Sequence, residues 1–160
     1  MQSLGLEQWN GFHCSILPVF RHRPHPDVPL NFAQLISILS LMDDRFHKGL
    51  DVFNSRDYFE AHEVWEDLWH EYRETDRTFL QGLIQIAAGL YHLDCGNMRG
   101  ARSQLSKGIQ KLEPYRPLHK GVDISALMNA INICLSQMAS VESGEHQSFD
   151  LTLLPQIHLR

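Results

Sequence analysis

From Phe79 to Leu93 the apolar residues fall on every side of a helix instead of forming one stripe. Phe79, Leu80, Leu83, Ile84, Ile86, Ala87, Leu90, Tyr91 and Leu93 surround almost the whole circumference at about 100° per residue. Such a helix is stable in water only when other elements cover most of it. The chain must therefore fold as a bundle with this segment near its centre. One polar strip interrupts the apolar surface, made of Gln81, Gln85 and His92. Gly82 and Gly89 lie beside the strip, two turns apart, where a neighbouring helix can approach closely.

The flanking sequence supplies covering helices. Phe32, Leu35, Ile36 and Leu39 follow helical spacing behind Asn31, a good N-cap. Phe46, Leu50 and Phe53 continue or restart that helix after Asp43 and Asp44. Asn54-Ser55-Arg56-Asp57 reads as a tight turn, with Asp57 capping a helix over 58–74. The central helix runs from Asp76 to Leu93, and Gly96-Asn97 ends it and caps a helix over 98–113, before Pro114. After a loop with Pro117 and Gly121, Asp123 caps a last helix with a stripe of Ile124, Leu127, Met128, Ile131, Leu135 and Met138. The reading is all-α, a compact bundle of five or six antiparallel helices. Residues 1–30 form an irregular Pro/His-rich arm, because Pro18, Pro24, Pro26 and Pro29 forbid a continuous helix. The bundle spans 31–140, and 141–160 is a loop and an extended tail packed on it.

An internal match at an offset of 40 residues organises the bundle. Gly49 pairs with Gly89, Phe53 with Leu93, Asp57 with Asn97, Ala61 with Ala101, and Trp65 with Leu105. Each unit reads as helix, capped turn, then helix with a small residue four positions in. Stacked helical hairpins such as tetratricopeptide pairs have this logic. Two units are too few for an open solenoid, so they are expected to close into a bundle.

Composition narrows the function classes. The formal charge is −5, and no Lys/Arg block marks a nucleic-acid surface. Cys14, Cys95 and Cys134 are far apart and odd in number, which is no disulfide framework and fits a reducing compartment. Cys95 and Cys134 read as small core residues. No stretch is read as a membrane span or a secretory signal, and a cytoplasmic location is expected. His13, Cys14, His22 and His25 lie at no recognised ligand spacing and read as a histidine-bearing arm. Glu71, Glu74 and Asp76 read as solvated surface.

The segment that carries chemistry is Tyr58-Phe59-Glu60-Ala61-His62-Glu63-Val64-Trp65-Glu66-Asp67-Leu68-Trp69-His70. On a helix, Tyr58, Ala61, Trp65, Leu68, Trp69 and Tyr72 share one face, and burying each aromatic is worth roughly 1.5–3 kcal/mol. His62 and Glu66 lie one turn apart on the edge of that face. The polar strip of the central helix is expected to face them, since a buried unpaired polar group costs about 1–3 kcal/mol. Three readings follow. One is a structural hydrogen-bond network of His62, Glu66, Gln81, Gln85 and His92. The second is a metal site with His62, Glu66 and His70 as ligands. It includes a small metal-dependent hydrolase with Glu63 or Glu66 as general base, although the His-Glu-x-x-His pattern of zinc proteases lacks its second histidine here. The third is a small-ligand or peptide pocket lined by Trp65 and Trp69.

The run from Phe53 to Trp69, followed by Phe79-Leu80-Gln81-Gly82-Leu83-Ile84-Gln85 and Gly96-Asn97-x-x-Gly100-Ala101, resembles domain-of-unknown-function family 309, a prokaryotic and plastid family. The resemblance covers about 45–115. It implies a compact helical fold, with His62, Glu63, Trp65, Glu66, Trp69, Gln81 and Gly82 as family-defining positions, and it admits the plastid stroma as a location. It implies no activity and no cofactor. The leading expectation is a non-enzymatic interaction or scaffold protein that meets a protein partner or a second copy of itself, with neither nucleic acid nor membrane as partner.

Overall fold

The computed structural model of the protein describes residues 44–71 and 76–160. The expected arm at 1–30, the Asn31 cap, the residues Tyr72 and Glu74, and the cluster His13, Cys14, His22 and His25 lie outside the described residues. Five α-helices are present among the described residues. The first, α1, is helical from 44 to 54. It is followed by α2 (Tyr58–Glu71), α3 (Asp76–Asp94), α4 (Met98–Leu112) and α5 (Ile124–Glu142). The protein is thus an all-α bundle, and α3 is its centre: eleven of its residues are buried, from Phe79 to Leu93.

The offset of 40 residues is visible in the geometry. Gly49 leaves a notch in α1 that the indole of Trp65 fills; a Cβ there would stand 2.1 Å from Trp65 Nε1. Gly89 does the same in α3 for Leu105 of α4, where a Cβ would stand 2.7 Å from Leu105 Cγ. Trp65, Leu105, Ala61 and Ala101 are all fully buried. Gly82 adds a second close approach between α3 and α4, against Leu112.

The two turns match bond for bond. In the first, the Asp57 amide donates to Val52 O at 3.1 Å and the Arg56 amide to Phe53 O at 2.9 Å. In the second, the Asn97 amide donates to His92 O at 2.8 Å and the Gly96 amide to Leu93 O at 2.9 Å. This nested pair ends a helix through one left-handed residue, which is Arg56 at φ 67° and Gly96 at φ 72°. The next residue then caps the following helix, with Glu60 N donating to Asp57 Oδ1 at 3.2 Å and Gly100 N to Asn97 Oδ1 at 2.9 Å. Each turn thus closes one helix and opens the next within four residues. Tyr58, beside the first turn, has its hydroxyl pKa pushed up to about 12, mainly by burial and further by Asp94 at the end of α3.

Several features depart from the sequence reading. The loop after α4 is a 3-10 turn (Glu113–Tyr115) and a two-stranded antiparallel ribbon, β1 (Leu118–His119) with β2 (Val122–Asp123). Lys120 and Gly121 both have positive φ, the geometry of a tight hairpin turn. The ribbon brings His119 Nε2 within 2.8 Å and Lys120 Nζ within 2.9 Å of the Asp76 carboxylate, so Asp76 is not the solvated surface residue expected. Cys95 is exposed, because it falls in the second turn and not on the buried face of α3. Cys134 is buried as expected, and its thiol donates to Leu153 O at 3.1 Å. By length and composition α5 is apolar enough to cross a membrane, contrary to the expectation. A core helix has the same composition, and here Ile124, Leu127, Met128, Ile131, Cys134 and Met138 are buried within the protein.

The tail forms a 3-10 turn (Leu151–Leu153) and then runs without further helix. The Asn54 side-chain amide holds the Ile157 backbone from both sides, donating to its carbonyl at 2.9 Å and accepting from its amide at 2.8 Å. Leu159 bridges Val122 in antiparallel fashion. The last residues therefore brace both the first turn and the ribbon.

Two stability predictions follow from these contacts. Gly49→Ala should destabilise the protein by about 2 kcal/mol in urea unfolding, because overpacking against a buried indole outweighs the roughly 1 kcal/mol gain in helix propensity. Unchanged or raised stability would contradict the notch. Burial alone would raise the pKa of Asp76, but the hydrogen bonds and charges of Lys120 and His119 outweigh it and hold the carboxyl below its usual 3.8. A depressed folded-state pKa contributes stability above the unfolded value that is lost as pH falls through the folded one. Asp76→Asn should therefore cost roughly 1–2 kcal/mol near neutral pH, and the difference from wild type should shrink as pH falls below the usual carboxylate range.

Candidate functional site

The orientation of α2 determines which of its side chains reach solvent. Tyr58, Ala61, Trp65 and Leu68 point inward, and Trp65 faces α1, its indole N–H reaching Phe46 O at 3.3 Å. Phe53 packs on both Tyr58 and Trp65, with ring centroids 5.2 and 5.8 Å away. With that face fixed, the edge carrying Phe59, His62, Glu63 and Glu66 lies at the boundary with water. Phe59 is 44% exposed and leans on Tyr91 of α3 at 5.4 Å.

His62 is the least exposed member of the polar group, with 12% of its side chain accessible, against 51% for Glu63 and 41% for Glu66. Its ring lies between the two carboxylates. Nδ1 is 3.0 Å from Glu63 Oε1, and Nε2 is 3.8 Å from Glu66 Oε2. An ionised carboxylate only accepts, so in the neutral ring the contact with Glu63 puts the proton on Nδ1, and Nε2, itself buried, lies on the side of Glu66. A carboxylate on the far nitrogen is how metal-ligating histidines are held in one tautomer and orientation. One donor atom from each of His62, Glu63 and Glu66 can be chosen so that all three lie within 4.8 Å of one another.

The other predicted residues are placed differently. His70 is exposed and packs edge-on against Trp69 at 5.1 Å, so Glu63 and not His70 completes the group around His62. His92 stands at the second turn, its Nδ1 3.3 Å from the Asn97 side-chain amide, with burial lowering its pKa. Gln81 and Gln85 are half-buried on α3. Gln85 Oε1 is buried with no hydrogen-bond partner among the described residues, so the expected network does not close through it. The reason lies in α3: Gly82 and Gly89, beside the strip, pack on α4 and not on α2. Trp65 is sealed at 0% exposure and cannot line an open pocket. Trp69 is half-buried beneath the Arg77 guanidinium, 3.9 Å from its ring centroid.

Sequence reasoning missed two features. Phe59 is the first, since its place one turn before His62 puts it on the same edge. The Asp76, His119 and Lys120 group joins residues 43 positions or more apart, and no local spacing signals such a contact.

The fold and this helix define a class: an all-helical protein with a His-Glu-x-Trp-Glu-x-x-Trp segment whose first tryptophan is sealed in the core and whose His-Glu edge borders solvent. Residues 46–104 match the family described as Domain of unknown function (DUF309), so the resemblance carried by the sequence is a match to that family from α1 into α4. The chain is also similar to the uncharacterized protein YpuF of Bacillus subtilis (strain 168), at 32% identity over 92 residues. That alignment takes in 56% of this chain and 53% of the relative, so the chain spans about half the length of the curated relative it matches.

Proposed function

We propose that the protein is a non-enzymatic helical binding module whose working edge is the outer edge of α2, and that this edge takes a divalent metal ion through His62 Nε2 and Glu66. The carrying observation is the placement of the His62 ring between Glu63 on Nδ1 and Glu66 on the side of Nε2. Two ligands about 2.0–2.2 Å from a tetrahedral zinc stand about 3.3–3.6 Å apart. The 3.8 Å between His62 Nε2 and Glu66 Oε2 closes to that value with a small turn of the half-exposed Glu66. Two matched helix–turn–helix units, in the manner of tetratricopeptide pairs, support a binding role over a catalytic one. So does the donor set. Catalytic zinc sites use three protein ligands and an open position, and Glu63, the candidate general base, is engaged on Nδ1. The net charge of −5 suits a cation or a protein partner and not nucleic acid.

Calorimetric titration of zinc into protein purified without a histidine tag tests the reading. Saturable binding should weaken at least tenfold in His62→Gln and in Glu66→Gln, and about tenfold in Glu63→Gln. Helical circular dichroism should stay unchanged in all three, and Glu60→Gln on the same helix should bind as wild type. Binding that is absent, or indifferent to His62 and Glu66, would refute it.

A further inference from the structure

We infer that residues 150–160 form a strap that opens as one unit while the helices stay folded, with Asp123 as its lock. The strap lies along the β2 edge. The Asp123 amide donates to His158 O at 3.0 Å and the Arg160 amide to Gly121 O at 2.8 Å, on either side of the Val122–Leu159 bridge. Together with the paired bonds between Asn54 and Ile157, these contacts depend on one register. A slip of one residue would break them all and turn the buried Ile157 away from its seat. The clips therefore form and break together. Beneath them only Leu154, Pro155 and Ile157 are buried, while Leu151, Leu159 and Arg160 are exposed. Residues 142–148 before the strap are exposed, and Gly144 at φ 81° gives them a hinge. A segment with little buried area and an exposed hinge opens at a lower free energy than the core it covers.

The lock is a charge. Asp123 is the one charged residue buried among the described residues. Its Oδ1 caps α5 by accepting from Ala126 N at 2.9 Å, and its Oδ2 meets the Arg160 guanidinium of the strap. The strap thus brings the countercharge to a buried carboxylate, and a buried charge that loses its partner is costly. The Arg160 side chain is itself mostly in water, so salt screens the lock. Opening bares the β2 edge and the Cys134 thiol, whose hydrogen bond to Leu153 O at 3.1 Å is made to the strap. While the strap is closed the thiol is sealed, and burial pushes its pKa up to about 11. Once the strap opens, the thiol meets solvent and reacts, so it reports the opening.

Labelling of the full chain with an aromatic disulfide reagent, in a Cys14→Ser, Cys95→Ser background, tests the inference alongside native-state hydrogen exchange. Cys134 should label at least tenfold faster than global unfolding allows, as set by the slowest amides of α3. The amides of Asp123, Ile157 and Arg160 should share one opening constant. Arg160→Gln should raise both the labelling rate and the exchange of the Asp123 and Ile157 amides at least fivefold, with α3 exchange and helical circular dichroism unchanged. Added salt should speed labelling of the parent and not of Arg160→Gln. Asn54→Ala, which removes the other clip, should speed labelling as well. Labelling no faster than α3 exchange, or α3 exchange that rises in step with labelling in Arg160→Gln, would overturn the strap. Separate opening constants for the Asp123 and Ile157 amides would overturn the single unit.

Discussion

The indole of Trp65 occupies the notch that Gly49 leaves in α1, and the disposition of α2 follows from that contact. Trp65 is at 0% exposure, and a Cβ at position 49 would stand 2.1 Å from its indole nitrogen, so glycine is what leaves it room. Once the indole is seated, with its N–H directed to Phe46 O, the rotation of α2 about its own axis is fixed. Tyr58, Ala61 and Leu68 must then point inward, and Phe59, His62, Glu63 and Glu66 must lie along the outer edge. The polar group lies at the boundary with water, His62 mostly covered and its two carboxylates half-exposed, as a consequence of the packing on the other side of the same helix.

The second unit repeats this device in a lighter form. Gly89 receives Leu105 where Gly49 receives Trp65. Both turns use a left-handed residue to end one helix and a capping side chain to start the next. Such turns are short and leave little freedom in the angle between paired helices. The tail adds a long-range restraint, since Asn54 in the first turn grips Ile157 through two hydrogen bonds. Asp76 ties the start of α3 to the ribbon after α4. The ends of the bundle are thus pinned by polar contacts, and its middle is held by α3.

Most of the fold was legible because local rules governed it. The all-round apolar pattern of 79–93, the caps at Asp57, Asn97 and Asp123, and the 40-residue match each speak for a few neighbouring residues, and the structure places helices and caps accordingly. What was not legible depends on contacts between distant residues. Nothing around Asp76 announces His119. The Lys120-Gly121 turn was visible as a loop, yet two-residue strands are too short to show alternation. The candidate site was half legible. Helical spacing placed His62 beside Glu66, but helical angles alone could not say that Gly82 and Gly89 would take the neighbouring strip of α3 toward α4. That choice depends on which partner fills the glycine notches. Glu63 lies toward solvent, and its reach back to Nδ1 of His62 is a side-chain choice that helical spacing does not show.

Helix α2 thus has two sides, an aromatic side that fixes its rotation and a His-Glu edge at the boundary with water. The geometry of the outer edge depends on Trp65 being locked against α1. Hydrogen exchange of the Trp65 indole N–H, followed by NMR, tests this most directly. Exchange is expected to be as slow as that of the buried amides of α3, released only by global unfolding. Exchange at the rate of a solvent-exposed indole would contradict it.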